Sequence, residues 1–292
     1  MVYTTISLHN SRMSKLLKII IVSRYRFWSY TSGPYLLGYT LGASSLADFY
    51  SLKFFLGLLF FLLPANIFLY GVNDLYDRDT DRHNLKKGSK ENKLQSSDEK
   101  FILLALIISS LILSILMIFT SDTSANFTLL IFWLLSFFYS AKPFRFKAIP
   151  FIDSASNVLY ILPGIYGYII TAGYFPPIIP LIGFWFWSAS MHLFSAIPDI
   201  SADKKANLYT TAVLLKDKGS LFACSLLWSA FFIITYYYFK HILIMTLIVY
   251  PLIPIILFFS SRDSLSRVYW YFPYINTLSG FAMFALALSY KL

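Results

Sequence analysis

Four of the chain's 14 acidic residues fall within eight positions, in the stretch Asn73-Asp74-Leu75-Tyr76-Asp77-Arg78-Asp79-Thr80-Asp81. This stretch closes an apolar run from Phe54 to Val72, where charge is expensive unless something compensates it. If these residues are helical, Asn73, Asp77 and Asp81 stand at i, i+4 and i+8 and share one face, while Asp74 and Asp79 turn away from it. A face of oxygen donors at fixed spacing suits Mg²⁺, which is held by one or two carboxylates and completes its shell with water and substrate phosphates. Asp199 and Asp203 repeat the i, i+4 spacing after Pro198, at the end of another apolar run. Two such patches in one partly desolvated mouth repel each other unless cations neutralise them, as Mg²⁺ ions bridging both to a diphosphate would. Arg78, Arg82, Lys142, Arg145, Lys147 and Lys204 lie near these loops and are candidates to bind the outward phosphate oxygens.

The elements that must position these groups are membrane helices. With 292 residues, 58% of them hydrophobic, 20% aromatic and only 13% charged, the chain is far too apolar for a soluble domain of this size. Apolar runs long enough to span a bilayer cover 27–47, 52–72, 101–120, 125–141, 152–173, 176–198, 219–239, 241–260 and 269–290, which makes nine spans. Residues 1–26 form a basic N-terminal segment whose apolar piece, Leu16 to Val22, is too short to span and lacks a cleavage signal, so it reads as an interfacial helix. Residues 27–292 are then one transmembrane domain. The net charge of +10 reflects topology and anionic headgroups rather than nucleic acid. Of the 24 Lys and Arg residues, only Lys53, Lys240 and Lys291 fall on the side opposite the N-terminus. That asymmetry places the N-terminus and both Asp-rich loops in the cytoplasm and the C-terminus outside.

The two acidic regions lie about 125 residues apart, and each follows an apolar helix and precedes a charged loop (Asp81 to Lys100; Asp203 to Lys218) without hydrophobic periodicity. This hints at an internal repeat. The Lys86 to Lys100 run reads as a solvated loop or a lid, and His83 as a solvated loop residue or a phosphate ligand. His192, seven residues before Asp199, either faces the site or bonds between helices. Asp153, alone just inside the fifth span, either ends the reaction, holds the acceptor, or caps its own helix. Cys224 is a lone cysteine in an apolar run and reads as a small buried hydrophobe.

Asn73-Asp74-x-x-Asp77-x-x-x-Asp81 together with Asp199-x-x-x-Asp203, each after an apolar helix, resembles the UbiA superfamily of intramembrane prenyltransferases. The resemblance covers essentially the whole chain and implies an all-α membrane fold around a central cavity, Mg²⁺-dependent ionisation of a prenyl diphosphate, and transfer of the prenyl group to a lipophilic acceptor. It implies metal ligation by Asn73, Asp77, Asp81, Asp199 and Asp203, with Asp77, Asp81, Asp199, Asp203 and Asp153 as catalytic groups. It implies diphosphate contacts from Asn73, Arg82, Tyr139, Lys142, Arg145, Lys147 and Lys204. Three further segments, Arg24-Tyr25-Arg26-Phe27-Trp28 with Gly33-Pro34-Tyr35, Tyr139-Ser140-Ala141-Lys142-Pro143-Phe144-Arg145-Phe146-Lys147 with Asp153, and Phe194 to Asp199, are similar to the lycopene elongase branch. That branch adds a dimethylallyl group to each end of a C50-forming carotenoid precursor.

Other readings stay open at this stage. A quinone precursor such as a hydroxybenzoate or dihydroxynaphthoate, or a glycerol phosphate, is an alternative acceptor. An aromatic acid would want a cationic pocket deep among the spans, and no basic residue there clearly supplies one. A secondary transporter would also carry many spans and intramembrane acids, although near the midplane rather than at one face. A non-catalytic lipid-binding protein would give no reason for two matched sets of oxygen ligands.

Overall fold

The computed structural model describes residues 15–77 and 98–291. Its regular elements among those residues are helices, as the bilayer requires of a chain whose backbone groups find no water to bond. In chain order they are α1 Lys15–Val22, α2 Ser29–Gly42, α3 Leu52–Leu62, α4 Pro64–Tyr76, α5 Glu99–Thr120, α6 Thr123–Phe138 and α7 Ile152–Ala155. There follow α8 Leu162–Ala172, α9 Ile178–Ala196, α10 Ile200–Lys205, α11 Thr211–Phe239, α12 Val249–Phe258, α13 Arg262–Tyr269 and α14 Phe272–Ser289. Among the described residues, six continuous stretches are long and apolar enough to cross a membrane: Leu52–Tyr76, Glu99–Thr120, Ile152–Ala172, Ile178–Lys205, Thr211–Phe239 and Phe272–Ser289. With α2, α6 and the helical stretch Ile242–Phe258 they are the counterparts of the nine expected spans. The all-α membrane fold is thus as the sequence indicates.

The boundaries differ in instructive places. The fifth span is not one α-helix but α7, a 3₁₀ stretch at Ser156–Tyr160, and α8, with Pro163, which has no N–H to donate, in the first turn after the break. The loop expected from Asp203 to Lys218 is shorter than its charges suggest. Helix α11 begins at Thr211, where the Thr210 hydroxyl accepts from the Val213 N–H at 3.3 Å, and a left-handed Lys216 (φ 60°) kinks it.

Two aromatic clusters hold the bundle. One joins α2, α3, α6 and α8 through Tyr35, Phe61, Phe132 and Tyr166, with the Phe61 and Phe132 rings 5.7 Å apart and edge-on. The other joins α9, α11, α12 and α14 through Phe194, Trp228, Tyr250 and Phe272, with the Phe194 and Phe272 centroids 4.7 Å apart. Helices α2 and α8 approach so closely that a Cβ at Gly38 would lie 1.9 Å from the Gly164 carbonyl oxygen; only glycine fits.

The break between α3 and α4 aims the first acidic face. Pro64 starts α4 and leaves the last carbonyls of α3 without helical partners in a dry interior. The Asn66 amide donates to the Phe61 and Leu62 carbonyls at 2.9 and 3.1 Å, and the Thr31 hydroxyl donates to Phe61 at 2.6 Å. Asn66 and Thr31 also bond each other at 2.7 Å, so the break is closed by side chains from two helices.

Candidate active site

The two acidic patches converge. Asn73 and Asp77 at the end of α4, and Asp199 and Asp203 around the start of α10, line one cavity of about 260 Å³. The i, i+4 reading explains why. Both members of each pair face the space, while Asp74, one residue off that face, is absent from the lining and instead accepts from Arg24 Nη2 at 3.0 Å. On the second patch, Pro198 ends α9, a 3₁₀ turn over Ile197–Asp199 follows, and α10 restarts the helix so that Asp199 and Asp203 stay one turn apart. Asp81 and Arg82 lie outside the described residues.

Two basic side chains complete the polar end. Lys147 Nζ donates to Asp77 Oδ1, and both residues are buried. The loop from Tyr139 folds Lys147 inward through left-handed backbone at Arg145 (φ 44°) and Phe151 (φ 66°), and through the Lys147 N–H donating to the Tyr139 carbonyl at 3.1 Å. Burial pulls the Lys147 ammonium down to about 7, the Asp203 carboxylate raises it, and the Arg24 guanidinium lowers it again. Arg24, also left-handed (φ 49°), lines the cavity with its guanidinium over the Tyr70 ring at 4.7 Å. The basic residues flanking Lys147 are placed differently: Lys142 is exposed, Arg145 half-buried, and neither is in the lining. Lys204 is likewise exposed outside it.

Tyr139 lines the cavity edge-on to His192, its hydroxyl 3.4 Å from each ring nitrogen. Asp153 does not reach the space. It is fully buried, accepts from the Thr211 N–H at 2.8 Å, from the Thr211 hydroxyl and from the Ser154 N–H at 2.7 Å, and thereby bonds the first turn of α11 as well as that of its own helix. Its other approach is to His192, whose Nε2 lies 4.0 Å from Asp153 Oδ2. His192 does face the cavity. Arg24 and Thr210 are lining residues that spacing did not single out. Arg24 had one signal, a cation directly before the first span within an aromatic run.

The donor set is all oxygen, as a divalent cation of the Mg²⁺ kind prefers, and it is carried by carboxylates on two separate elements. Among the described residues no group of three His, Cys, Asp or Glu is close enough together to hold a metal ion. The Asn73 amide oxygen is fixed by the Ser140 hydroxyl at 2.8 Å, and Asp203 Oδ2 by Thr210 in a long hydrogen bond of 3.4 Å. The cavity is also lined by the aromatic residues Phe27, Tyr30, Tyr70, Tyr160 and Trp187.

Acids, two cations and aromatic rings thus line one cavity of a helical membrane domain. Residues 32–269 match the UbiA prenyltransferase family, and the chain belongs to it; it is an intramembrane prenyltransferase. The chain is 37% identical to a lycopene elongase/hydratase of Haloarcula japonica over 92% of its own length and 90% of the relative's, and 36% identical to that of Haloferax volcanii over 91% and 87%. In fold it is similar to a UbiA homolog from Archaeoglobus fulgidus solved with DMAPP and Mg²⁺, with TM-score 0.68 and 24% identity over 93% of this chain and 99% of that one.

Proposed function

We propose that this prenyltransferase ionises dimethylallyl diphosphate with Mg²⁺ and joins the five-carbon unit to the end of a lycopene-type polyene in carotenoid biosynthesis. The observation that carries the reading is the convergence of Asn73, Asp77, Asp199 and Asp203 on one cavity that is also lined by aromatic rings. These four residues, with Asp81, would hold the metal ions, whose chemistry there is to neutralise the carboxylates and stabilise the leaving diphosphate. Arg24 and Lys147 bind the outward phosphate oxygens, so that charge released at the breaking C–O bond meets fixed donors. The rings of Phe27, Tyr30, Tyr70, Tyr160 and Trp187 present π faces to the allylic cation and keep water from it.

The terminal alkene of the acceptor attacks that cation, a C–C bond forms, and the positive charge passes to the acceptor. The charge is lost with a proton or by capture of water. Asp153, buried behind His192, would act here as a positioning residue and His192 as the group that faces the acceptor. Arg24 and Lys147 are the lysine and arginine side chains of the lining, and both sit at the acidic end. Both are already engaged with carboxylates, Arg24 with Asp74 and Lys147 with Asp77, which supports a hydrocarbon acceptor over an aromatic acid that would need a cation of its own. The asymmetry of Lys and Arg supports an acidic end open to the cytoplasm, where soluble Mg²⁺ and diphosphate are supplied.

The test is expression of the chain in cells that accumulate lycopene, with pigments read by mass spectrometry. Products heavier by one and two five-carbon units are expected; unchanged lycopene in cells that make and insert the protein would defeat the acceptor assignment.

A further inference from the structure

The polar cavity has a neighbour. A second cavity of about 230 Å³ lies between α2, α8, α9, α11 and α14, and no Asp, Glu, Lys or Arg lines it. The two spaces share Tyr30, Tyr160 and Trp187 and no other lining residue. Those three rings are therefore the partition between them.

The partition is braced from both sides. The Tyr30 and Tyr160 rings meet edge-on at 6.2 Å, and the Tyr160 hydroxyl lies 3.3 Å from that of Tyr70. Trp187 stands edge-on to Tyr250 at 6.4 Å, and its carbonyl accepts from the Trp228 indole at 3.3 Å. Behind the partition there is room: a Cβ added at Gly33 or at Gly280 would meet nothing within 4 Å.

We propose that Tyr30, Tyr160 and Trp187 set the length of the donor, acting as a floor that a five-carbon chain reaches and a ten-carbon chain must displace. This rests on the reading of the polar cavity as the diphosphate site. With the head held at Asp77 and Asp199, a tail that leaves the acids within this cavity meets the three rings both cavities share, and the second cavity, which no Asp, Glu, Lys or Arg lines, would take a longer one. Forcing extra methylenes against a braced wall is unfavourable, whereas opening it offers a longer tail a ready-made apolar continuation.

The experiment uses the full chain in detergent or vesicles with Mg²⁺, and measures binding of the unreactive thiolo analogues of dimethylallyl and geranyl diphosphate beside turnover of the natural donors with lycopene. The wild type should prefer the five-carbon donor in both. Tyr160→Ala should narrow that preference by about tenfold or more, the scale on which hydrophobic pockets discriminate chain length. Tyr160→Phe, which keeps the ring, should retain the wild-type ratio, and Tyr160→Ala combined with Gly280→Phe should restore it by refilling the far space. An unchanged ratio in both Tyr160→Ala and Trp187→Ala, or a wild type indifferent to length, would overturn the proposal. The binding arm decides the matter without turnover, so a chain that binds the analogues but leaves lycopene untouched would defeat the acceptor reading alone.

Discussion

The two acidic patches share one cavity and one spacing, yet they are held in opposite ways. At the first, Asp77 is 4% exposed and paired with Lys147, and its neighbour Asp74, off the cavity face, is 3% exposed and paired with Arg24. Asp199 and Asp203 are half-buried, on a short helix where a proline-ended span restarts. Among the described residues the first patch thus has its carboxylate charge paired with protein cations, while the second is more exposed. A buried carboxylate next to an ammonium gives up that partner or shares it when a metal arrives. The two halves of one site can therefore differ in what they contribute to binding and to folding.

Removing a ligand from either patch should have the largest effect. Asp77→Ala or Asp199→Ala is expected to abolish turnover while the protein still inserts in the membrane; a fully active variant of either, assayed with labelled prenyl diphosphate, would contradict the metal assignment. EDTA should likewise stop the wild type, and added Mg²⁺ restore it. The difference between the patches should appear next. Arg24→Ala leaves Asp74 as a buried carboxylate without this partner and should lower stability by about 3–5 kcal/mol, read from thermal unfolding in detergent, with Asp74→Asn in the same chain recovering much of it. Lys147→Ala should raise KM for the diphosphate by roughly 10- to 100-fold, the worth of a charge-assisted contact, with a smaller effect on kcat. At the bottom of the scale, Lys142→Ala and Lys204→Ala change exposed side chains outside the lining and should shift activity by no more than about twofold, as surface substitutions do.

Helical periodicity made the acidic faces and the spans legible, because it depends on neighbours three and four residues away. The placement of Lys147 was not separable from that of Lys142 and Arg145 on the same terms. What turns Lys147 inward is left-handed backbone at an arginine and a phenylalanine, two residue types that give no hint of it, and Arg24 hides its conformation in the same way. The bond of Asp153 to its own helix, through the Ser154 N–H, is a local one that spacing can suggest, whereas its bond to the Thr211 amide is not, because Thr211 lies 58 residues further along the chain. The early start of α11 escaped notice for a related reason: Lys216, Asp217 and Lys218 look like loop residues, and the helix tolerates them by kinking.

The contact of Gly38 with Gly164 reaches further than the packing of two helices. Tyr30 lies two turns before the one glycine on α2, and Tyr160 one turn before the other, at the entry to α8. The gap between these tyrosines consequently depends on a backbone seam that lines the same second cavity. A single methyl group at Gly38 would act as a wedge, and the pocket would register it as a change in which substrate it accepts.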